Sequence, residues 1–458
     1  MNQEKAIIAE RALYDLDIPF RPNFFDGLLD VSHLKTNVSN GTIKKGSEMV
    51  PHNPRIVLYS HDTMGLGHIR RNMKIAQTLS TSHLLPSILI VSGIPEARNF
   101  HFPPGVDCLT LPAVYKESDG QYRARNLCLT LKEIIAVRSA TIQAAVRAFK
   151  PDVFIADNVP RGVSGELDAT LEELRAYGHT RCVLGMRDIQ DDPETVSREW
   201  RQRGYEEVIR RYYDEIWVYG DKEVYDTVKE YGYAPDLADK ARYAGYLGQP
   251  ARRRMMTAQN DGGLRSGIDL PKEPFVLCSV GGGQDGGQLA KVFSQTQLPD
   301  GRTGVIITGP YMDEGVRQQL YSRAMKNHRI RIFDFVSEPL EFLDHAECVV
   351  AMGGYNTVCE ILSFEKKALI VPRVLPRQEQ LIRAQRFQDL GLLDFLHPDR
   401  LNPQTLGDWL HGDGLRPPSE VYHRIDMRGL SRLPHMLEAL FAGTSCATIG
   451  CGDSYSIL

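Results

Sequence analysis

GGYNTVCEILSFEKKALIVPRVLPRQEQLIRAQR, from Gly353 to Arg386, holds the turns, charges and apolar runs that decide the fold. The apolar run just before it, Cys348 to Met352, is short and partly β-branched, as a buried strand is, and it stops at Gly353 and Gly354. Backbone N–H groups at a helix start lack intrahelical partners and carry part of the helix dipole, so a glycine pair there lets a diphosphate approach closely. Tyr355, Asn356 and Thr357 follow, the last two with side-chain donors. Glu360 stands three residues beyond Thr357 on the same helix face, where a carboxylate can accept two hydrogen bonds from a ribose diol. Taken singly, a tight turn and a solvated helix residue explain these features as well. Their order favours a nucleotide pocket: strand, glycine pair, helix with Glu360, strand Ala368 to Val371, then Pro372, Arg373, Arg377, Gln378 and Gln380.

The same alternation extends in both directions. RIVLYS, SILIVSG, DCLTLPAV, DVFIADN, RCVLGMRD and EIWVYGD alternate with helical stretches from Arg55 to about Gln249. PFVLCSVGGGQDGG, GVIITGP, IRIFDFV, CVVAMGG and ALIVPR do so from Pro274 onward. Strands alternating with helices predict an α/β protein with parallel sheets, here two doubly wound Rossmann-like domains facing a cleft. The expected organisation is an N-terminal arm at 1–50, a first domain at 51–249, a linker at 250–272, a second domain at 273–418, a helical segment at 419–443 and a tail at 444–458. RLPHMLEALF, inside that helical segment, has the pattern of an amphipathic helix that packs back on the body.

HDTMGLGH links the first strand to a helix whose apolar residues Ile69, Met73, Ile75, Ala76 and Leu79 fall largely on one face. Its Gly65 and Gly67 do not complete a dinucleotide fingerprint, and no acidic partner follows at about twenty residues, which argues against a nicotinamide or flavin site. Gly281, Gly282 and Gly283 form another candidate phosphate loop. MRDIQDDP, Met186 to Pro193, ends an apolar strand and offers Arg187 and Asp188 to the acceptor side. Asp191 and Asp192 lack a His or Cys at ligand spacing, so no metal site is expected.

The chain has 458 residues, of which 42% are hydrophobic, enough for two or three ordinary cores. A net charge of −4 gives no overall electrostatic case for nucleic acid, so no nucleic-acid partner is expected. No run of about eighteen apolar residues suggests a membrane span, and the first thirty residues lack a signal-like apolar core. The expectation is a cytoplasmic protein, with peripheral membrane contact left open. Eight cysteines, mostly single within strands as at Cys182, Cys278 and Cys348, suit reduced buried thiols, and Cys446 with Cys451 sits apart in a small-residue tail.

The run from Gly353 to Gln380 resembles the donor-binding segment of the GT-B glycosyltransferases. It is similar to that of the bacterial peptidoglycan N-acetylglucosaminyltransferases and related predicted glycosyltransferases that share the family 28 C-terminal domain. The resemblance implies a GT-B fold and transfer of a sugar from a nucleotide-diphosphate donor, a UDP-sugar, to a hydroxyl acceptor of unknown identity. It also implies inversion and no cofactor or metal. Gly354, Tyr355, Asn356 and Thr357 would be phosphate-side, Glu360 ribose-side, and Gln378 and Gln380 sugar-side, with the choice between the two glutamines open; Gly353 and Arg373 would belong to the same donor-binding set. The glycine loop closing in Gly67 and His68 resembles the first loop of these enzymes, making His68 the candidate general base, with helix capping or phosphate contact as its alternatives. Asp157, at the end of DVFIADN, would orient that imidazole or simply cap the next loop. His61 and Asp62 remain alternative bases. A nucleotide-sugar epimerase and a noncatalytic sugar-nucleotide-binding protein are the competing functions.

Overall fold

The computed structural model describes residues 53–62, 65–116, 121–248, 270–334, 336, 339–412 and 425–443. The expected arm, most of the linker and the Cys446/Cys451 tail lie outside these residues. The first half supplies β1 (Arg55–Ser60), β2 (Ser87–Ser92), β3 (Val106–Thr110), β4 (Val114–Lys116), β5 (Tyr122–Ala124), β6 (Val153–Asp157), β7 (Arg181–Arg187), β8 (Glu215–Tyr219) and β9 (Ala241–Tyr243). The second supplies β10 (Phe275–Ser279), β11 (Thr303–Ile307), β12 (Ile330–Phe333), β13 (Cys348–Ala351), β14 (Lys367–Ile370) and β15 (Asp394–Phe395).

Two parallel sheets result, a seven-stranded one in the order β3-β2-β1-β6-β7-β8-β9 and a six-stranded one in the order β12-β11-β10-β13-β14-β15. Helices separate nearly all successive strands of each sheet, so the strands are buried on both faces and read as continuous apolar runs. In β6 and β8 every residue is buried. DCLTLPAV, expected as one strand, divides into β3 in the main sheet and β4 in a small antiparallel hairpin with β5. Pro112 lies at the break: it has no N–H for the ladder, and the buried Arg138 takes its carbonyl at 2.7 Å.

One apolar core runs across both halves. Ile69 and Met73 of the Gly67–Ser80 helix, Val358 and Leu362 of the Tyr355–Ser363 helix, and Leu433, Leu437 and Leu440 of the Gly429–Phe441 helix belong to it. Burial of each such leucine contributes about 1.5–3 kcal/mol. The last helix therefore returns to pack on the first half, as its pattern predicts, and its first residue, Gly429, lies so close to the Gly245 and Tyr246 carbonyls that a Cβ there would meet them at 2.5 and 2.6 Å. Cys182, Cys278 and Cys348 are buried free thiols, and burial pushes Cys182 and Cys348 up to about 12. Among the described residues, no helix is long and apolar enough to cross a membrane.

Candidate active site

Each sheet reverses its strand order near the middle, between β1 and β6 in the first and between β10 and β13 in the second. In open parallel sheets ligands collect beyond the carboxyl ends of strands at such reversals, because the loops there part in opposite directions. His68 follows β1, Asp157 ends β6, Gly281 to Gly283 follow β10, and Gly354 follows β13. These four segments meet around one cavity of about 430 Å³ lined by residues of both halves. The two glycine loops face each other closely: a Cβ on Gly282 would lie 3.6 Å from the Cα of Gly65.

His68 is the second residue of the Gly67–Ser80 helix, and its Nδ1 lies 2.5 Å from Asp157 Oδ2. Asp157 also receives Arg71 Nε at 2.9 Å and Arg71 Nη2 at 2.7 and 2.6 Å. Burial alone would raise this carboxyl, but the Arg71 guanidinium and His68 outweigh it and hold Asp157 well below the usual carboxylate range. Arg71 Nη2 also stands 2.9 Å from Nδ1, but its protons serve both Asp157 oxygens; because an ionised carboxylate only accepts hydrogen bonds, we assign the proton to Nδ1, which leaves Nε2 as the basic atom. Arg71 was missed from the sequence; its signal was the i, i+3 spacing from His68, which sets both on one helix face.

The alternative bases fare differently. His61 lines the cavity with its ring centroid 4.4 Å from that of His68, and burial followed by repulsion from His68 pushes its imidazole well below 6.5. Asp62 is occupied away from the cavity: it accepts Ser60 Oγ, Ser92 Oγ at 2.7 Å and the Ile69 N–H at 3.1 Å, tying the loop to the helix start.

On the opposite wall, Gly354 is the N-cap of the Tyr355–Ser363 helix, and no side chain caps that helix. Gly354 and Thr357 line the cavity, and the Thr357 hydroxyl makes no hydrogen bond among the described residues. Gly281, Gly282 and Gly283 line it as well, with φ of 64° at Gly281 and 93° at Gly283, left-handed values that favour glycine. Gly353 departs from the expectation. It is a packing residue, where a Cβ would meet Gln380 O at 2.9 Å, and it is not part of the cavity wall. Asn356 lines the cavity but gives its Nδ2 to the Gly67 carbonyl at 2.8 Å, and Tyr355 is buried between Arg71 and Arg383 at 5.8 and 5.7 Å from their guanidinium carbons.

Glu360 is likewise turned to the first half. Its Oε1 accepts Lys74 Nζ at 2.8 Å, with Arg70 Nη2 at 3.7 Å, and it does not line the cavity. Lys74 was not foreseen. It belongs to the same helix as His68, so this ion pair joins the Gly67–Ser80 helix to the Tyr355–Ser363 helix of the second half.

Of the two glutamines, Gln380 lines the cavity and accepts the Arg373 N–H at 3.1 Å, whereas Gln378 gives its N–H to Asp191 Oδ1 at 2.7 Å and stays outside the wall. The sequence expectation passed over Glu379 between them. It is buried at the start of the Glu379–Asp389 helix, lines the cavity, pairs with Arg373, and leaves Oε2 without a partner. The signal was the helix start itself, which turns its first residue to the ligand side. Arg187 lines the cavity, but Asp188 does not: it is fully buried and receives the Tyr246 hydroxyl at 2.6 Å. Asp191 is held by Arg377 Nη1 at 3.2 Å, and Asp192 caps the Pro193–Arg203 helix through the Thr195 N–H at 3.0 Å. Among the described residues, no cluster of three or more His, Cys, Asp or Glu side chains is arranged to hold a metal ion.

Residues 278–411 match the glycosyltransferase family 28 C-terminal domain. An uncharacterized glycosyltransferase of Methanosarcina mazei is 24% identical over 252 residues, 53% of this chain and 60% of that protein. The chain thus spans less than two thirds of that relative's length. A UDP-N-acetylglucosamine–N-acetylmuramyl-(pentapeptide) pyrophosphoryl-undecaprenol N-acetylglucosamine transferase of Rubrobacter xylanophilus is 27% identical over 40% of this chain and 54% of its own. Among solved structures, the glycosyltransferase SnogD from Streptomyces nogalater superposes with a TM-score of 0.52 at 15% identity, covering 84% of this chain and 98% of its own. A UDP-N-acetylglucosamine 2-epimerase gives the same TM-score at 12% identity over 86% and 97%. At such identities the likeness is one of fold, which transferases and epimerases share. The chain has the GT-B fold, its residues 278–411 match the glycosyltransferase family 28 C-terminal domain, and it resembles the peptidoglycan N-acetylglucosaminyltransferases.

Proposed function

We propose that the protein transfers a sugar from a nucleotide-diphosphate donor, of the UDP-sugar type, to a hydroxyl acceptor. The observation that carries this is the His68–Asp157 pair facing the uncapped helix start at Gly354 across one cavity, within a chain whose second half matches family 28. The donor diphosphate sits against the Gly354–Thr357 helix start and the Gly281–Gly283 loop, where backbone N–H groups and the helix dipole favour its charge. Glu379 and Gln380 accept and donate to sugar hydroxyls. The ribose diol is assigned to Glu360 from the resemblance; because Glu360 lies outside the cavity wall and is paired with Lys74, holding the diol requires that wall to open and Lys74 to share or yield its carboxylate oxygen.

His68 Nε2 removes the acceptor proton as the acceptor oxygen forms its bond to the anomeric carbon. The bond from that carbon to the diphosphate oxygen breaks, and the nucleoside diphosphate leaves with the electron pair. Attack from the His68 side on a donor held at the opposite wall is displacement with inversion. Asp157 keeps the proton on Nδ1 and stabilises the imidazolium, the combination that general-base catalysis by histidine requires. The departing charge falls to the helix start and to Arg373, so no metal is needed in this scheme.

The test is to incubate the protein with UDP-, GDP- and dTDP-sugars, each with and without pooled hydroxyl compounds. Nucleoside diphosphate release that depends on an added acceptor and disappears in His68→Ala is expected. Conversion of the sugar without any acceptor would instead mark an epimerase, and binding without turnover a sensor.

A further inference from the structure

The cavity wall contributed by the first half is unusually cationic for a chain of net charge −4. Arg70, Arg71, Arg187 and Arg203 line it, against Glu199 as its one lining carboxylate. Glu199 is claimed by Arg377 of the opposite wall at 2.9 Å, and Arg71 is neutralised by Asp157. The Arg203 guanidinium donates to the Tyr205 hydroxyl at 3.3 Å.

Arg187, the last residue of β7, stands out within this wall. Its side chain makes no hydrogen bond or ion pair among the described residues, and its Nε is buried without a partner. The charges facing it are Glu379, Arg71, Arg383 and Asp157. Asp157 is engaged by Arg71 and His68, and Arg383 by the carbonyls of Gly353 and Ile189 at 3.0 and 3.3 Å; Glu379 pairs with Arg373 through Oε1 alone, its Oε2 makes no hydrogen bond among the described residues, and it forms no ion pair with Arg187. Burial lowers the Arg187 guanidinium from 12.5 to about 10, so it remains charged at neutral pH. A desolvated guanidinium with its planar fork unused matches the two oxygens of a carboxylate or phosphate.

We infer that the acceptor carries an anionic group, a carboxylate or a phosphate, close to its reacting hydroxyl, and that Arg187 receives it. This rests on the glycosyl-transfer reading of the cavity. The donor diphosphate lies against glycine loops of the other half, which assigns the anion on the Arg187 wall to the acceptor. Arg187 thereby sets acceptor specificity and places the hydroxyl against His68 Nε2.

The test uses the full chain saturated with UDP and titrated with inorganic phosphate or lactate at constant ionic strength, reading thermal stabilisation against chloride. Wild type and Arg187→Lys are expected to show stabilisation beyond that given by UDP. Arg187→Gln should weaken that second binding at least tenfold while changing UDP affinity less than threefold. It should also melt no lower than wild type, because it removes an unpaired cation; a large drop would mark Arg187 as structural and overturn the assignment. An equal loss of UDP affinity would give the anion to the donor, and indifference of UDP-loaded wild type to both probes would also refute the inference. Running phosphate without UDP separates the two levels. Arg187-dependent phosphate binding with no UDP binding would sink the transfer reading and leave the anion site standing.

Discussion

Asp157→Asn tests the catalytic wall most sharply, because one carboxylate serves two buried partners. Arg71 donates to it through Nε and Nη2, and His68 through Nδ1, within 2.5–2.9 Å. An asparagine of the same shape offers one acceptor oxygen and turns an NH2 toward one of those donors. Arg71, only 1% exposed, then loses its countercharge. Breaking a buried pair from one side costs about 3–5 kcal/mol, a large part of the ~5–15 kcal/mol that holds a typical domain. At ~2–4 °C per kcal/mol the melting temperature should fall by roughly 6–20 °C. Transfer should drop by about 10²–10⁴, since the imidazole loses both its fixed tautomer and the charge behind it. Adding Arg71→Met to Asp157→Asn should recover much of the stability and none of the rate. The pH dependence has a definite sign. Asp157 has a depressed folded-state pKa, so its contribution is fully present above the unfolded value of about 3.9 and is lost as pH falls toward the folded one. The stability gap between wild type and variant should therefore hold steady from about pH 5 upward and close in acid. A single variant as stable as wild type, or a double variant no more stable than the single, would refute the buried-pair argument.

Glu360→Gln should raise the dissociation constant for UDP by about 10–100-fold, the value of one or two charge-assisted hydrogen bonds, and this is read by calorimetry. It should also destabilise the chain by leaving Lys74, itself buried, without its carboxylate. The two glycines at the helix start should part company. Gly354→Ala, with 3.9 Å to the nearest atom and an ordinary φ of −63°, should melt like wild type and bind UDP poorly, whereas Gly353→Ala should lose about 1–3 kcal/mol of stability through its clash with Gln380 O. His61 is held neutral by burial, its folded pKa lying below the unfolded 6.5, so protonation favours the unfolded chain as pH drops below about 6.5. His61→Phe should show a shallower stability loss than wild type between pH 6.5 and 4.5 in urea titrations.

The sheets were legible because buried parallel strands are short, continuous apolar runs, and RIVLYS, DVFIADN and CVVAMGG each end where β1, β6 and β13 carry their loops. The strands β9 and β15 were not, being only three and two residues long and largely without full burial. For the site, motif order located the loops, and the pairing of His68 with Asp157 followed from two strand ends that the reversal of strand order brings together. Side-chain partners were beyond the sequence. Lys74 meets Glu360 and Asn356 meets Gly67 across 286 and 289 residues, contacts that no local spacing encodes. Glu379 was missed because it interrupts a glutamine pair that the resemblance had made the object of attention.

The most direct measurement is a thermal titration of the full chain with UDP, GDP, dTDP and UDP-N-acetylglucosamine, on wild type and on Gly354→Ala. Selective stabilisation by one nucleotide, about 2.7 kcal/mol at a hundredfold its dissociation constant and absent in Gly354→Ala, is the predicted result. Stabilisation by none of the four, or one that Gly354→Ala leaves intact, would contradict a nucleotide-sugar donor held at this helix start.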